Sequence, residues 1–189
     1  MRIYGNRQLK TVPGQKTRPT SAKVREALFN ILQGKISGCS WLDLCAGNGS
    51  MGAEALCRGA KSVVGIEKYA KACQIIQQNW QQIAQPEQSF KVIKGDVLVK
   101  INSLAQQQFD YIYFDPPYDS YLYLPILGAV ASLKLSSING AIVVEHNPKL
   151  WQATTISGLE IYRQKSYGKT TLTFYHVSRG KAMSCPCIG

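Results

Sequence analysis

The chain has 189 residues with a net charge of +11, and 45% of the residues are hydrophobic, which is ordinary for one globular domain with a full core. No apolar run approaches the roughly 20 residues that span a bilayer, and the N-terminal residues lack the apolar segment of a signal peptide. We therefore expect no membrane association and a cytoplasmic location.

Positive charge is concentrated at the N-terminal end. Residues 1–35 contain eight of the 22 basic residues but only one of the 11 acidic residues. Such a basic end on a nearly balanced body favours a polyanionic partner such as RNA. We assign phosphate contacts to five basic residues: Arg2, Arg7, Lys10, Arg18 and Arg25. The alternative is a solubilising surface.

The six cysteines are scattered, and Cys45, Cys57 and Cys73 fall in elements that we predict to be buried. This distribution predicts reduced thiols in a cytosol-like compartment, although an organelle reached with a transit peptide stays open. Cys185 and Cys187 lie close together, but no nearby His or second Cys pair completes a metal site. We predict a flexible tail over residues 179–189 and no metal.

The N-terminal segment predicts a short basic hairpin or arm over residues 2–13, followed by a rigid segment over residues 17–20. Thr20 or Ser21 is expected to cap a helix that ends near Gln33. Its buried face follows helical spacing, and Lys23 and Arg25 are expected to face outward. We group residues 1–35 as an RNA-contacting unit.

The following residues alternate between strand and helix patterns. Predicted strands 41–45, 62–66, 90–93, 111–114 and 141–145 are separated by predicted helices 50–59, 69–84, 98–107 and 121–134. Residues 159–165 and 170–177 predict a closing antiparallel hairpin. The pattern indicates an α/β fold over residues 36–178, with a doubly wound, mostly parallel sheet of seven strands.

A glycine-rich loop, Gly47-x-Gly49-x-x-Gly52, follows the first of these strands and opens a helix. Small residues allow close approach of the backbone to a ligand, and this spacing is typical of nucleotide-binding folds. The match alone is weak, because the spacing is short and common.

Three acids at strand ends strengthen the interpretation. Glu67 lies 20 residues after Gly47, where it can hold a ribose diol. Asp96 can accept from an adenine amine, and Asp43 can brace the loop or meet an ammonium group. Together they predict a nucleoside pocket at one edge of the sheet, also lined by Cys45, Ala46, Gly47, Asn48, Gly49, Lys68 and Val97.

The fourth strand ends abruptly at Asp115-Pro116-Pro117-Tyr118. Prolines lack an N–H group and have a fixed φ, so the strand cannot continue. A carboxylate, carbonyl groups and an aromatic ring therefore sit on a stiff turn at the carboxyl end of the sheet, where ligands bind in such folds. A simple turn with a solvated Asp is the alternative.

These features together resemble class I S-adenosylmethionine-dependent methyltransferases that modify exocyclic amines. Segments 17–32 and 42–60 are similar to one branch, the RsmD family, whose members methylate the N2 amine of a guanine in bacterial small-subunit ribosomal RNA. The resemblance runs from residue 2 to about residue 177. Cys45 and Asn48 depart from the residues usual in that family, Phe and Ser.

The resemblance implies a Rossmann-like fold, S-adenosylmethionine as cofactor and small-subunit ribosomal RNA as substrate, naked or in an assembling particle. No obligate protein partner is evident from the sequence. Asp115, Pro116, Pro117 and Tyr118 are the expected catalytic residues: the Asp115 carboxylate and Pro116 carbonyl would hold the amine, and Tyr118 would stack on the base. The base must leave its stack to reach them.

Three alternatives stay open. Similar turns serve methyltransferases of DNA adenine or cytosine and of protein glutamine, although no target-recognition domain for DNA is evident. A nicotinamide-dependent oxidoreductase would use the glycine-rich loop but would not need the Asp115 turn. An RNA-binding module without activity would not need an intact Asp115.

Overall fold

The computed structural model describes residues 1–11 and 21–178. Two short strands, β1 (Arg2–Ile3) and β2 (Arg7–Gln8), form a separate N-terminal hairpin. The main sheet contains β3 (Ser40–Leu44), β4 (Ser62–Glu67), β5 (Ser89–Lys94), β6 (Phe109–Phe114), β7 (Ser136–His146), β8 (Leu159–Tyr167) and β9 (Thr170–Val177).

The strand order is β5-β4-β3-β6-β7-β9-β8. The first five are parallel, whereas β9 runs antiparallel to β7 and β8 antiparallel to β9. The predicted mostly parallel sheet of seven strands with a closing hairpin is therefore confirmed. The parallel strands bring their carboxyl ends to a single edge.

Helices cover both faces of this sheet. They are α1 (Ala22–Ile31), α2 (Ser50–Cys57), α3 (Ala70–Ile83), α4 (Val97–Lys100) and α5 (Tyr123–Ser132). Alternate residues of β3 point to opposite faces: Trp41 packs with residues of α1, α2 and α3, and Leu42 and Leu44 pack with residues of α4 and α5. No helix within the described residues is long and apolar enough to cross a bilayer.

The N-terminal hairpin is packed onto this domain. Ile3 and Leu9 are buried in the same core as Trp41. The Met1 and Leu9 main chains exchange two hydrogen bonds, and the Asn79 side chain both donates to and accepts from the Lys10 backbone. The tail 179–189, the segment 17–20 and Arg18 lie outside the described residues.

The predicted helix 98–107 is wrong in its extent. Helix α4 ends at Lys100, and a 3₁₀ turn follows over Ile101–Leu104. The Asn102 side chain donates to the carbonyls of Leu98 and Val99, and the Ser103 hydroxyl donates to the Lys100 carbonyl. Such local side-chain bonds compete with the α-helical ladder.

Strand β7 begins five residues earlier than predicted. Its polar start over residues 136–140 has the composition of a turn, yet Phe109 pairs with Ser136 before a register shift restores regular pairing at Tyr111 and Ala141. Local composition gives little information on such an irregular pairing.

The Trp80 side chain of α3 fixes the start of α2. A Cβ atom at Gly52 would lie 2.3 Å from Trp80 Cζ2, and one at Gly65 would lie 2.6 Å from its Cη2 atom. The indole N–H donates to the Gly49 carbonyl at 2.8 Å. The absence of side chains at these glycines therefore makes room for Trp80. The sequence analysis instead explains the glycines of the loop by close approach of a ligand.

Gly52→Ala is expected to lower the free energy of unfolding by about 1–3 kcal/mol, because its methyl group overpacks against Trp80. Gly128 of α5 is the matched control, because no atom lies within 4 Å of its Cβ position. Gly128→Ala should raise stability by up to about 1 kcal/mol through helix propensity. Urea unfolding measures both, and changes of the same sign would contradict the packing argument.

Candidate functional site

A cavity of about 1020 Å³ opens at the carboxyl edge of the sheet. It is large enough for a nucleoside-sized ligand and a second group beside it. All four residues of the Asp115 turn line it, as do nine of the ten predicted cofactor residues: Asp43, Cys45, Ala46, Gly47, Asn48, Glu67, Lys68, Asp96 and Val97. Gly49 is the exception, and its carbonyl is bound by Trp80.

The buried Glu67 carboxylate closes the glycine-rich loop. One oxygen accepts the Gly47 N–H at 2.7 Å, and the other accepts the Tyr69 N–H at 2.8 Å. Each carboxylate oxygen can accept two hydrogen bonds. Glu67 therefore braces the loop and retains acceptor capacity towards the cavity.

Cys45 occupies the left-handed backbone region at the start of this loop, with φ of +67°. Burial raises the pKa of its thiol, and the nearby negative charges of Glu67 and Asp115 act in the same direction. The thiol is therefore neutral at physiological pH and unsuited to act as a nucleophile.

Asp43 is a buried acid in the cavity wall. Burial raises its pKa to about 8, the Gly52 N–H opposes this shift, and the Glu67 charge adds to it. Asp43 Oδ2 and the Ser120 hydroxyl have no hydrogen-bond partner among the described residues, and both residues line the cavity. Unpaired buried polar atoms are costly, so the cavity suits a polar ligand.

Asp96 caps α4 at the end of β5. One oxygen accepts the Leu98 N–H at 3.0 Å, and the other lies 3.2 Å from Lys68 Nζ. The Leu98 hydrogen bond and then Lys68 lower the pKa of Asp96, which keeps it ionised as an acceptor. Within residues 1–11 and 21–178, no group of three His, Cys, Asp or Glu side chains is arranged to hold a metal.

The Asp115 turn follows β6 directly. Pro116 is buried, and the Pro117 carbonyl accepts the Ser120 N–H at 2.9 Å, which closes the turn. Of the two proline carbonyls, that of Pro117 is thus used inside the protein. The turn is stiff, and its Asp115 side chain lies at the cavity wall.

Glu145, the penultimate residue of β7, also lines the cavity but is not among the residues predicted from the sequence. Its buried carboxylate accepts hydrogen bonds from the hydroxyl groups of Tyr113 and Tyr118. Acids near the carboxyl ends of parallel strands are expected to meet at one edge of the sheet, and Glu145 fits this expectation as well as the predicted acids do. Sequence analysis also missed Tyr69 and Tyr121, which line the cavity with exposed fractions of 59% and 78%.

Three predicted RNA-binding residues are exposed on the N-terminal hairpin or just after it. These are Arg2, Arg7 and Lys10. Arg7 contacts Cys57 Sγ at 3.1 Å and Lys10 Nζ contacts Gln78 Oε1 at 3.0 Å. Both charges therefore lie over the surface formed by α2 and α3.

The prediction that Arg25 faces outward to RNA is wrong. Arg25 is 4% exposed, its Nε lies 3.3 Å from Glu54 Oε2, and its Nη2 donates to the Arg2 carbonyl at 2.7 Å. Glu54 also accepts from the Tyr4 N–H and from Arg58. Arg25 lies at the border of the apolar stripe of α1, where a buried acid on α2 faces it.

Comparison with known proteins supports the resemblance. The family model described as "Conserved hypothetical protein 95" matches residues 1–176. The chain belongs to this family. The predicted membership of the RsmD family is thereby confirmed.

Individual relatives span nearly the whole chain. YlbH of Bacillus subtilis, named as a candidate rRNA methyltransferase, is 31% identical over 171 residues, covering 89% of this chain and 92% of YlbH. Ribosomal RNA small subunit methyltransferase D of Escherichia coli is 26% identical, covering 93% and 89% of the two chains.

Solved structures share the architecture. The E. coli candidate methyltransferase YhhF has a TM-score of 0.79 at 26% identity, covering 94% of this chain and 97% of YhhF. A more distant candidate methyltransferase, solved with SAH, has a TM-score of 0.61 at 14% identity and covers 82% of this chain and 48% of its own. That second likeness concerns the fold alone.

Asp43 should make stability depend on pH. Its folded-state pKa of about 8 exceeds its usual value of 3.8, so the folded state retains a proton that the unfolded state loses between these values. The wild-type free energy of unfolding should therefore fall with rising pH in this window, relative to Asp43→Asn, by up to about 1.4 kcal/mol per pH unit.

Denaturant unfolding between pH 4 and 8 measures this difference. The exposed Asp119 provides a matched control, because Asp119→Asn also removes one carboxylate but no buried charge. Parallel pH profiles for the wild type and Asp43→Asn would contradict the assignment of Asp43 as a buried, protonated acid.

Arg25 and Lys23 of α1 should respond differently to loss of charge. Arg25→Gln removes one of the two arginine partners of the buried Glu54, which keeps Arg58, and should lower the free energy of unfolding by about 1–3 kcal/mol. Lys23 is exposed, so Lys23→Gln should change it by no more than about 0.5 kcal/mol. Thermal and urea unfolding compare them, and equal effects would show that the Arg25–Glu54 pair is not structurally important.

Proposed function

We propose that the chain transfers a methyl group from S-adenosylmethionine to the exocyclic N2 amine of a guanine in small-subunit ribosomal RNA. The observation that carries this proposal is that one cavity is lined both by the glycine-rich loop with its acids and by the Asp115 turn. A cofactor and a target base held by these two groups would share one space. The name of the E. coli relative supports the choice of RNA.

The cofactor end of the cavity has the hydrogen-bond acceptors that a nucleoside with an amino acid side chain requires. Glu67 retains acceptor sites for ribose hydroxyls beside the loop that it braces, and Asp96 is an ionised acceptor for an adenine amine. Asp43 Oδ2 has no partner among the described residues. A bound ammonium group would lower the pKa of Asp43 and favour its ionised form, which would then accept a hydrogen bond from that group. When bound, S-adenosylmethionine supplies an electrophilic methyl group on a positively charged sulfur.

The Asp115 turn would bind the other reactant, the guanine amine. A guanine amine is a poor nucleophile, because its lone pair is delocalised into the ring. Hydrogen bonds to the Asp115 carboxylate and the Pro116 carbonyl would orient the lone pair towards the methyl group. The nitrogen gains the methyl and releases one proton, which the carboxylate or water can take. Placing the reactants in line supplies much of the rate.

Tyr118 would hold the base through the face of its ring. Its hydroxyl group is bound by Glu145 and Thr170, so the stacking surface is the part offered to a ligand. A base must leave its helical stack to reach the Tyr118 ring, which favours a base in an RNA loop or a flipped nucleotide as the target. Arg2, Arg7 and Lys10 would bind neighbouring phosphates, and this binding would weaken with salt. Arg18 belongs to the same proposal.

Methylation of another exocyclic amine, such as adenine N6 or a protein glutamine, is the second candidate. The Asp115 turn suits all of these amines. The similarity to a small-subunit rRNA methyltransferase over most of both chains favours RNA over DNA or protein as the substrate. The choice of guanine N2 rests on the resemblance to the RsmD family. Mapping the methylated base in RNA from cells that lack the protein distinguishes them, as does assaying naked RNA beside assembled particles.

Asp115→Ala should lower kcat for methyl transfer by about 10²–10³, by analogy with the loss of one preorganised hydrogen-bonding group at a reaction centre. Cofactor affinity should change little, because Asp115 is assigned to the amine. Single-turnover assays with labelled cofactor measure the first quantity and calorimetry the second.

Asp119→Ala is the matched control, because Asp119 lies four residues along and does not line the cavity. It should retain wild-type turnover. Near-wild-type turnover by Asp115→Ala would mean that the turn only ends the strand.

A further inference from the structure

The Tyr118 hydroxyl joins the Asp115 turn to two strands of the sheet. It lies 2.8 Å from Glu145 Oε1 and 3.0 Å from Thr170 Oγ1. Glu145 is the penultimate residue of β7, and Thr170 begins β9, 52 residues after Tyr118 in the chain. Residues far apart in sequence thus meet at one phenol group.

The direction of these hydrogen bonds follows from chemistry. The Glu145 carboxylate only accepts, so Tyr118 gives its single proton to Glu145. The Thr170 hydroxyl must then donate to Tyr118 Oη. Burial raises the pKa of Tyr118, and the Glu145 charge acts in the same direction. The phenol therefore keeps its proton, and the chain from Thr170 to Tyr118 to Glu145 is complete at physiological pH.

We propose that Thr170 and Glu145 are positioning residues that hold the Tyr118 ring in the orientation needed to receive the target base. The proposal rests on the proposed function and extends it to a strand that does not contact the reacting atoms. We name the set of Thr170, Tyr118 and Glu145 the tyrosine clamp.

Both ends of the tyrosine clamp are rigid. Thr170 is 2% exposed and Glu145 is also 2% exposed. Strands β7 and β9 pair directly, with Glu145 opposite Leu172 and His146 opposite Thr171. The Tyr113 hydroxyl also donates to Glu145, which fixes the carboxylate. The anchors are therefore fixed by the sheet and do not depend on the turn.

The benefit of the clamp is preorganisation. Tyr118 is only partly buried and lies on a turn, where a ring tethered by its backbone alone could rotate about χ1. Fixing the ring before the substrate arrives reduces the ordering that binding would otherwise require. Loss of the clamp should therefore affect RNA binding and transfer rate, and should leave the cofactor end of the cavity unchanged.

Thr170→Val tests the proposal, because it removes the donor and keeps the side-chain shape. We expect kcat/KM for the RNA substrate to fall about three- to tenfold, the value of one hydrogen bond. Thr171→Val is the matched control on the same strand: Thr171 is also buried, and its hydroxyl pairs with Ser166 instead. It should retain wild-type kcat/KM. Thr170→Ser, which restores a hydroxyl, should recover most of the loss.

A double-mutant cycle separates positioning from a general structural effect. Tyr118→Phe keeps the ring but removes the hydroxyl that Thr170 binds. In the Tyr118→Phe background, Thr170→Val should therefore cause no further fall in kcat/KM. A stability effect of Thr170 alone would lower activity equally in both backgrounds. Calorimetry with S-adenosylmethionine should give unchanged affinity for every variant.

The outcomes are separable. If the wild-type protein does not methylate small-subunit rRNA, the proposed function fails. If the wild type is active and Thr170→Val matches Thr171→Val, or if the two substitutions at Thr170 and Tyr118 are additive, the tyrosine clamp is overturned while the proposed function stands.

Discussion

The contact between Trp80 and the glycines of the first loop is the constraint on which the site depends. The indole occupies space that side chains at Gly49, Gly52 and Gly65 would fill, and its N–H binds the Gly49 carbonyl. Glu67 holds the same loop from the other side through the Gly47 N–H. Contacts with α3 and β4 therefore fix the conformation of the loop before any ligand binds. Preorganised polar groups of this kind favour binding because little ordering is required.

Much of the cavity lining can be predicted from the sequence because parallel strands end at one edge. Asp43, Glu67, Asp96 and Asp115 are predicted strand-end acids, and each lines the cavity. The same rule would have found Glu145, but β7 carries no glycine loop or proline turn to draw attention to it. The regular alternation of strands and helices was likewise sufficient for the fold, because burial of apolar faces at periods of 2 and 3.6 residues is a local property of the sequence.

The remaining features depend on which residues meet in three dimensions. The spacing of the glycine loop contains no information about Trp80, which follows Gly52 by 28 residues. The helical pattern of α1 identifies a buried stripe, but only the position of Glu54 on α2 explains why Arg25 lies inside. Polar residues account for two wrong element boundaries. Asn102 and Ser103 form side-chain hydrogen bonds where an α-helix is predicted to continue, whereas Ser136 pairs within a strand that starts earlier than its composition indicates.

The two ends of the cavity are supported by different parts of the fold. The glycine-rich loop and the acids beside it are held by α3, β4 and the cap of α4, whereas the Asp115 turn is tied to β7 and β9 through the Tyr118 hydroxyl. Tertiary contacts that do not share a partner contribute nearly independently to free energy. Changes at the turn can therefore alter that end of the cavity without altering the opposite end. The closing hairpin therefore supports the wall of the cavity, because Thr170 of β9 forms a hydrogen bond with the Tyr118 hydroxyl of the turn.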